Sequence, residues 1–561
     1  MELISNHAKQ IMESCKAKAR AAGLKFSDET MEYIVTNRDL IWLSAKNNVP
    51  TLYDYWLDDV GVIKDKTVYK FYPNNPYETV INSRPPLSYY NDNNPDWLNV
   101  MLFYHVLGHI DFLQNNRYFE ETRNDDFVGQ ALADKRLIAE LRQEQGQESR
   151  WVDYVIEFSR GIDNLVGFYS ELNKNDLPTM NQEQEKVDFY FGGFLGEFAQ
   201  AKSRDYDEEV ARHNQCIREF GQTTGISVFF EDSKKKYPEF AKIFEKRTRE
   251  KKTKPNDLLQ FLMENSPVIN QGKNNWMKKV MQVVRSTSLY FQPQIRTKIL
   301  NEGWASFWHD KLFMEDDRIT GHGADYAKLN AGVVSMSHIG LNPYALGLKL
   351  IDCLYELAAK GKLNYNFEKI KDQHQRKQFD QQTGRGLDYL FFIRENFNDS
   401  TLINFLSDED FQDFVAKNQL FVMGTRLNPD TKRQEHYIKS RRATDYRQMI
   451  NNHLYHPPHI TFEKAEEALC LTHHFEGKPL LAKHIPNTML GIEYLWGGPV
   501  VLETTEIVLT DADDDDDLPP QYRQLYGEDS DCWKQQRVRY TMEKRKLSKK
   551  IIKEASPQNT G

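Results

Sequence analysis

The stretch NEGWASFWH, residues 301–309, constrains this 561-residue chain most strongly, because it has the pattern of a buried helix that carries ionisable groups. A charge buried without a partner is costly, so it is normally paired, protonated or bound to a metal. Reading every three or four residues gives one inward stripe. Its members are Ile295, Ile299, Glu302, Ser306, His309 and Phe313. The stripe predicts a polar site inside a helical core.

Two helical turns separate Glu302 from His309, a rise of roughly 10.5 Å. We therefore expect only one of the two to contact a given ion directly, while the other supports it or faces a substrate. A purely structural role for Glu302 would be an ion pair with an arginine such as Arg123 or Arg296.

A second apolar helix is predicted over PDWLNVMLFYHVLGHIDFLQNN, where His105 and His109 share a face with Leu98, Met101, Leu102 and Phe112. Side chains four residues apart on a helix stack above one another, so both imidazoles can reach one ion. The residues that follow are suited to accept the second N–H of an imidazole. They are Asp111, Asn115 and Asn116.

Together with Glu302, the two histidines form the His₂Glu set of catalytic zinc sites. We predict a divalent metal, zinc being favoured, bound by His105, His109 and Glu302, with Asp111 and His309 acting beside it or on substrate. Taken singly, each residue also fits an ordinary hydrogen-bonded place in a core.

The motifs HVLGH and NEGWA resemble the two ligand helices of gluzincin metallopeptidases, which carry HExxH and an NEGFA-like sequence. Val106 stands at the position of the general base and cannot accept a proton. Glu302 also follows His109 by 193 residues, much further than in those peptidases. If the chain is a hydrolase, another group must act as base, and His309, Asp111 or an acidic residue elsewhere could do so.

Composition limits the other functional classes to which the chain can belong. The chain has 73 basic and 82 acidic residues, which disfavours a nucleic-acid binder. A weaker nucleic-acid hypothesis uses residues 234–254 and the basic tail, and the acidic run 511–517 opposes it. Five separated cysteines without CxxC indicate neither a disulfide framework nor a zinc ribbon. Without a signal peptide or a run of about 20 apolar residues, a cytoplasmic protein without a membrane span is expected.

The patterns predict an α+β protein that is predominantly α-helical, with a large helical body and a small C-terminal α/β module. Four segments are expected. They are N-terminal helices with strands and turns (1–95), a helical core carrying both motifs (96–417), the α/β module (418–510), and an acidic run with a basic flexible tail (511–561). Six histidines within 453–484 invite a second metal site, but Pro457 and Pro458 favour a loop there.

Longer segments identify a family resemblance. YETVINSRPPLSYYNDNN, HVLGHIDFLQNNRYF, LYFQPQIRTKILNEGWASFWH and LNAGVVSMSHIGLNPYALGLKL occur in the order typical of the SpoVR (stage V sporulation protein R) family. The resemblance runs from about residue 10 to residue 508. It implies a bacterial or archaeal cytosolic protein linked to spore cortex formation, or to stress and stationary-phase adaptation. It also implies a PrkA-type serine kinase and a von Willebrand A-like protein as partners.

Two functions follow as expectations. The first is metal-dependent hydrolysis of an amide-type bond, such as one in a cell-envelope precursor. The second is that of a non-catalytic regulatory or scaffold protein that works with the kinase system, which the valine at position 106 favours.

Overall fold

The computed structural model describes residues 2–36, 78–122, 127–167, 203–220, 222–244, 257–336, 341–364, 372–427, 433–509 and 533–554, with a few positions between 186 and 199 and at 367 and 370. Helices dominate this part, which confirms the predominantly helical α+β class. They are α1 (Asn6–Ala21), α2 (Asp96–Asn115), α3 (Phe127–Gln145), α4 (Arg150–Arg160), α5 (Ser203–Phe220), α6 (Gln222–Lys236), α7 (Leu258–Asn265), α8 (Asn275–Arg296), α9 (Lys298–Met314), α10 (Gly323–Val333), α11 (Pro343–Ala359), α12 (Gln373–Gln378), α13 (Gly386–Asn396), α14 (Asp399–Phe405), α15 (Asp408–Lys417), α16 (Ala443–His453) and α17 (Ile485–Trp496).

A small sheet near the N-terminus lies beside α2. Its strands are β1 (Glu2–Leu3), β2 (Met31–Val35), β3 (Glu78–Ile81) and β4 (Leu87–Asn91). Their order is β1-β2-β4-β3, with β2 parallel to β4 and the other pairs antiparallel. Strand β3 contacts α2 and so brings its first residue, Glu78, to that helix. Residues 37–77 of the predicted N-terminal segment lie outside the described residues.

Helices α2, α9 and α11 pack together and form the centre of the larger core. Their contacts are close because glycine stands at each crossing. A methyl group on Gly108 would lie 2.8 Å from the Ala305 backbone, and one on Gly347 only 2.1 Å from the Ile299 carbonyl oxygen. The absence of a Cβ lets these backbones approach to distances that any other residue would prevent.

The helix predicted across PQIRTKIL is interrupted. Helix α8 ends at Arg296, and α9 begins at Lys298 after Thr297, which adopts non-helical dihedral angles. Pro293 lies inside α8. Because of this break, Ile295 does not continue the inward stripe: it is 47% exposed, so its assignment to that stripe is wrong.

A second core joins α3, α4, α7 and α8 to a five-stranded sheet. The strands are β7 (His459–Ala465), β8 (Ala468–His474), β9 (Val500–Leu509), β10 (Trp533–Glu543) and β11 (Lys546–Glu554), in the order β11-β10-β9-β8-β7. Strands β8 and β9 are parallel, and α17 makes the crossover between them. Leu471 of β8 and Val280 of α8 belong to one cluster, so this sheet shares its core with the helical body.

The expectation of a basic flexible tail is wrong for residues 533–554, which form β10 and β11. In β10 the apolar side chains of Val538, Tyr540 and Met542 are buried and alternate with charged or polar ones. This period-two pattern is typical of a strand with one solvated face. The charged residues on that face give the segment the composition of a flexible basic tail. Ahead of the sheet, β5 (Val422–Leu427) and β6 (Gln434–Ser440) form a hairpin.

Candidate metal centre

Two imidazoles from α2 converge on one point. His105 and His109 are 4% and 7% exposed, and their Nε2 atoms lie 3.1 Å apart. Two ligand atoms of a tetrahedral zinc ion, each about 2.0–2.1 Å from the metal, are separated by roughly 3.3 Å. The spacing of the two nitrogens therefore suits a shared ion.

Two carboxylates face the same point from other elements. Glu302 of α9 places its Oε2 atom 3.5 Å from the Nε2 atom of His109 and 3.9 Å from that of His105. Glu78 of β3 places its Oε1 atom 3.8 Å from the Nε2 atom of His105. Among the described residues, Glu78, His105 and His109 form the one group of three or more such side chains whose ligand atoms all lie within 4.8 Å of one another.

The Glu302 carboxyl is only half satisfied. The hydroxyl of Tyr344, on α11, is hydrogen-bonded to it. Its Oε2 atom, which faces the histidines, is buried and makes no hydrogen bond. Buried polar atoms in folded proteins are almost always paired, and an unpaired carboxyl oxygen beside two imidazoles fits the ligand set of a divalent cation.

An amide fixes the orientation of His109. Its Nδ1 atom lies 2.9 Å from the Oδ1 atom of Asn301, an oxygen that can only accept a hydrogen bond. The proton of a neutral His109 is therefore on Nδ1, and the lone pair of Nε2 points toward the two carboxylates. Outer hydrogen bonds of this kind set the tautomer of metal-binding histidines.

The tautomer of His105 is fixed by a series of hydrogen bonds. The Nδ2 group of Asn330 lies 3.4 Å from the Asp310 carboxylate, and this contact orients the Oδ1 atom of Asn330 toward His309. His309 donates from Nε2 to that oxygen at 3.3 Å, so its Nδ1 atom is an acceptor. Nδ1 of His105, 2.9 Å away, is then the donor, and Nε2 of His105 carries a lone pair.

The Nε2 atoms of His105 and His109 thus carry no proton, and their lone pairs face each other. Burial lowers the pKa of His105 well below its ordinary value, and it lowers the pKa of His109. Burial also lowers the pKa of His309 to about 4. All three rings are neutral at pH 7, which is the form that binds a metal, and a cation removes the repulsion between the two lone pairs.

Burial acts on the carboxylates in the opposite direction. It raises the pKa of Glu78 to about 7, with a further upward contribution from the neighbouring Glu302 carboxylate. It also raises the pKa of Glu302 to about 7. A divalent cation between these groups stabilises their charged forms.

The structure brings His105, His109, Glu302 and His309 together. The Asp111 side chain points away from them and contacts other elements. Its carboxylate accepts hydrogen bonds from the Lys25 backbone and from the Trp304 indole, and it lies 3.5 Å from Arg394. Burial raises its pKa to about 6. Asp111 therefore fixes α2 to neighbouring elements, and the prediction that it acts beside the metal is wrong.

The arginines expected as ion-pair partners of Glu302 are not seen to contact it in the described residues. Arg296 stacks over the Tyr118 ring, and Arg123 lies outside those residues. Val106, at the position of the gluzincin base, is fully buried in the larger core. Asn115 donates to backbone oxygens of Lys25 and Asp111 and does not serve a histidine.

Four residues of the site escape prediction from the pattern alone. They are Glu78, Asn301, Asn330 and Tyr344. Signals for them were present, because YETVINS, NEGWASFWH, LNAGVVS and NPYALG are the stretches that carry the family resemblance. What spacing does not reveal is that these four stretches meet around one point.

The remaining histidines do not form a second site of this kind in the described residues. His322 stacks on Trp97 with ring centroids 5.8 Å apart. Of the six histidines within 453–484, His453 ends α16 and bonds the Met449 carbonyl oxygen, while others lie on β7 and β8. In the described residues no helix is long and apolar enough to cross a membrane.

Known proteins support the resemblance seen in the motifs. A family profile described as "SpoVR like protein" matches residues 3–457, and this match ends just before β7. The chain is 23% identical over 396 residues, 68% of each protein, to one named "Uncharacterized protein YcgB" from Escherichia coli (strain K12). No solved structure matches the chain. On the family profile, which covers most of its length, the chain belongs to the SpoVR family.

Proposed function

We propose that this SpoVR-like chain is a divalent-metal-dependent hydrolase of an amide-type bond, with zinc as the favoured metal. His105, His109 and Glu302 would bind the metal, and Glu78 stands next to them. One observation carries the proposal: two neutral Nε2 lone pairs lie 3.1 Å apart and face two partly buried carboxylates. The set matches the His₂Glu ligands of hydrolytic zinc sites.

A metal bound there would supply a Lewis acid that lowers the pKa of a coordinated water. The chain's own residues supply the remaining functions. Glu78 lies on the far side of His105 from His309, and its carboxylate can hold the proton that Val106 cannot. Tyr344 holds the Glu302 carboxyl in place through its hydroxyl. His309 positions His105 through the Nδ1 contact and is not assigned to substrate.

Metal content is the first test. Untagged protein purified without chelators should contain close to one divalent ion per chain by mass spectrometry. His105→Ala and Glu302→Gln should each lose that ion. His473→Gln is the matched control, because His473 is also a buried histidine but lies in the other core. Wild-type protein that stays metal-free after reconstitution with zinc would contradict the proposal.

The Glu78→Gln variant distinguishes a catalytic role of Glu78 from a role as a metal ligand in a non-catalytic site. If Glu78 is the base, the variant keeps its metal and loses turnover of an amide substrate by about 10²–10⁴-fold. If Glu78 is instead a fourth ligand, the variant loses metal and the site is closed, as in structural zinc sites. The second outcome favours the regulatory protein that Val106 also favours.

We extend the proposal to the cellular setting. By family resemblance, the protein acts in the cytoplasm, in spore cortex formation or in stress and stationary-phase adaptation, alongside a PrkA-type serine kinase and a von Willebrand A-like protein. Co-purification of these two proteins with wild-type chain and with His105→Ala chain tests this. Equal recovery with both would show that any such complex does not need the metal centre.

A further inference from the structure

A cleft of about 780 Å³ lies between the C-terminal sheet and the helical body. We name it the sheet cleft. One wall comes from β8, β9 and the first two turns of α17, and the opposite wall from the turn at residues 161–165 and the ends of α7 and α16. Ligand sites for small molecules have volumes of this size, and they often occur where two structural units meet.

The inner part of the sheet cleft is apolar. Buried side chains from α7, β8, α17 and β9 line it, each less than 9% exposed. They are Leu258, Leu471, Ile485, Met489, Ile492 and Leu502. Such a surface favours the hydrocarbon part of a ligand because it removes that part from water.

The mouth of the sheet cleft is polar. Two formal charges line it, those of Lys478 and Glu476. The Glu476 carboxylate is turned toward His456, whose Nε2 atom lies 3.6 Å away. The Lys478 ammonium is exposed, and among the described residues it reaches a backbone carbonyl oxygen, that of Asn452, at 3.5 Å.

The first turn of α17 adds to this positive character. Helix α17 begins at the mouth, and His484, its N-terminal cap, makes no side-chain capping hydrogen bond. Pro486 has no N–H, so the first-turn backbone N–H groups without a partner in the helix are those of Ile485 and Asn487, and they carry the positive end of its dipole. Thr488, one turn further, also lines the cleft and is half-buried.

One buried polar group lines the interior. His473 is 2% exposed, and its Nδ1 atom lies 2.8 Å from the Thr504 hydroxyl. Burial and the nearby Arg537 lower its pKa to about 4, so the ring is neutral and adds no charge. The formal charges of Lys478 and Glu476 and the positive end of α17 are therefore confined to the mouth, with apolar surface beneath them.

From this arrangement we propose that the sheet cleft binds a small amphipathic anion, with its apolar body against β8, β9 and α17 and its acidic headgroup between Lys478 and the first turn of α17. The ligand contacts both the sheet and the helical body, so its binding links the two cores. This site is separate from the metal centre and does not depend on the function proposed for it.

Matched eight-carbon probes test the proposal. Binding of octanoate, octyl phosphate, 1-octanol and octylammonium to full-length protein can be compared by calorimetry. We expect one site per chain, with at least one anion binding tenfold or more tightly than the alcohol, and with the cation weakest. The tighter of the two anions identifies a carboxylate or a phosphate headgroup. Equal binding of anion and alcohol would overturn the assignment.

Three variants locate the site. Lys478→Ala should remove most of the preference for the anion and leave binding of the alcohol unchanged. Thr488→Phe, which fills the mouth, should weaken all four probes at least tenfold. Lys483→Ala, an exposed lysine outside the cleft, is the control and should bind as wild type does. Unchanged binding by folded Lys478→Ala and Thr488→Phe proteins, with folding checked by circular dichroism, would overturn the proposal.

Discussion

Two asparagine amides decide which nitrogen of each metal-site histidine carries a lone pair. Asn301 accepts from His109 directly, and Asn330 acts on His105 through His309. An alanine at either position leaves an imidazole free to rotate or to change tautomer. At the scale of single residues, the geometry of the candidate centre therefore depends on side chains outside the proposed ligand set.

We expect Asn301→Ala to weaken zinc binding about 10–100-fold, since loss of an outer hydrogen bond to a ligating histidine typically has this effect. Asn301→Asp should retain binding because its carboxylate still accepts from Nδ1. Competition with a chelating dye measures both affinities. Asn404→Ala, an exposed amide on α14, is the control. Wild-type affinity in Asn301→Ala would show that Asn301 does not orient His109.

His473 gives a prediction for acid stability. Its folded pKa of about 4 lies below the ordinary value of 6.5, so the unfolded chain binds its proton first as pH falls. Stability linked to this residue is complete above pH 6.5 and is lost as pH decreases from 6.5 toward 4. Between pH 7 and 5, wild type should lose roughly 1–2 kcal/mol more than His473→Gln. Urea unfolding at both pH values measures this, and equal losses would contradict it.

Among the helices, the contact of α9 with α2 and α11 sets the geometry of the centre. Gly108 lies next to His109, Gly303 next to Glu302, and Gly347 three residues after Tyr344. Each glycine marks a point where one helix backbone touches another. The metal-site side chains project from helices whose separation is fixed by backbone contact.

Gly347→Ala should destabilise the protein by at least about 1–3 kcal/mol, because the new methyl group must displace the backbone carbonyl of Ile299. It should also weaken metal binding, since α9 moves with Glu302. Gly332→Ala is the control in α10, where a methyl group meets no atom within 4 Å. That variant should gain about 0.5–1 kcal/mol. Chemical denaturation of both proteins gives the comparison, and equal stability would contradict the close contact.

Elements with a strong local period were predicted well from sequence. The helices around His105 and Glu302 occur where the apolar stripes predict them. The break at Thr297 was missed because the apolar period continues across it, and only the packing of α9 shows where the helix restarts. Strands β10 and β11 were missed because their outer faces are highly charged.

At the scale of the whole molecule, β10 covers β9 and completes the second core. A chain ending at residue 532 should lose several kcal/mol, because burial of Val538, Tyr540 and Met542 contributes about 1.5–3 kcal/mol each. It should also aggregate, since β9 becomes an exposed edge. A chain ending at residue 554 retains both strands and serves as control. Thermal unfolding and light scattering measure the difference, and equal behaviour would contradict the role of β10.

The candidate metal centre could be predicted only in part because its residues come from five separate segments. Local spacing places His105 and His109 on one helix face, and the stripe of α9 supplies Glu302. Glu78 stands at the start of a short strand, where no periodicity distinguishes it from other acidic residues. Its contribution depends on the packing of β3 against α2, which is a property of the tertiary structure.

The distance along the chain between the ligands has a consequence for biosynthesis. Glu302 follows His109 by 193 residues, and a ribosome adds about 5–20 residues per second. Glu78 and the two histidines therefore exist for roughly 10–40 s before Glu302 is made. A metal centre that needs Glu302 would be completed only after translation has passed α9.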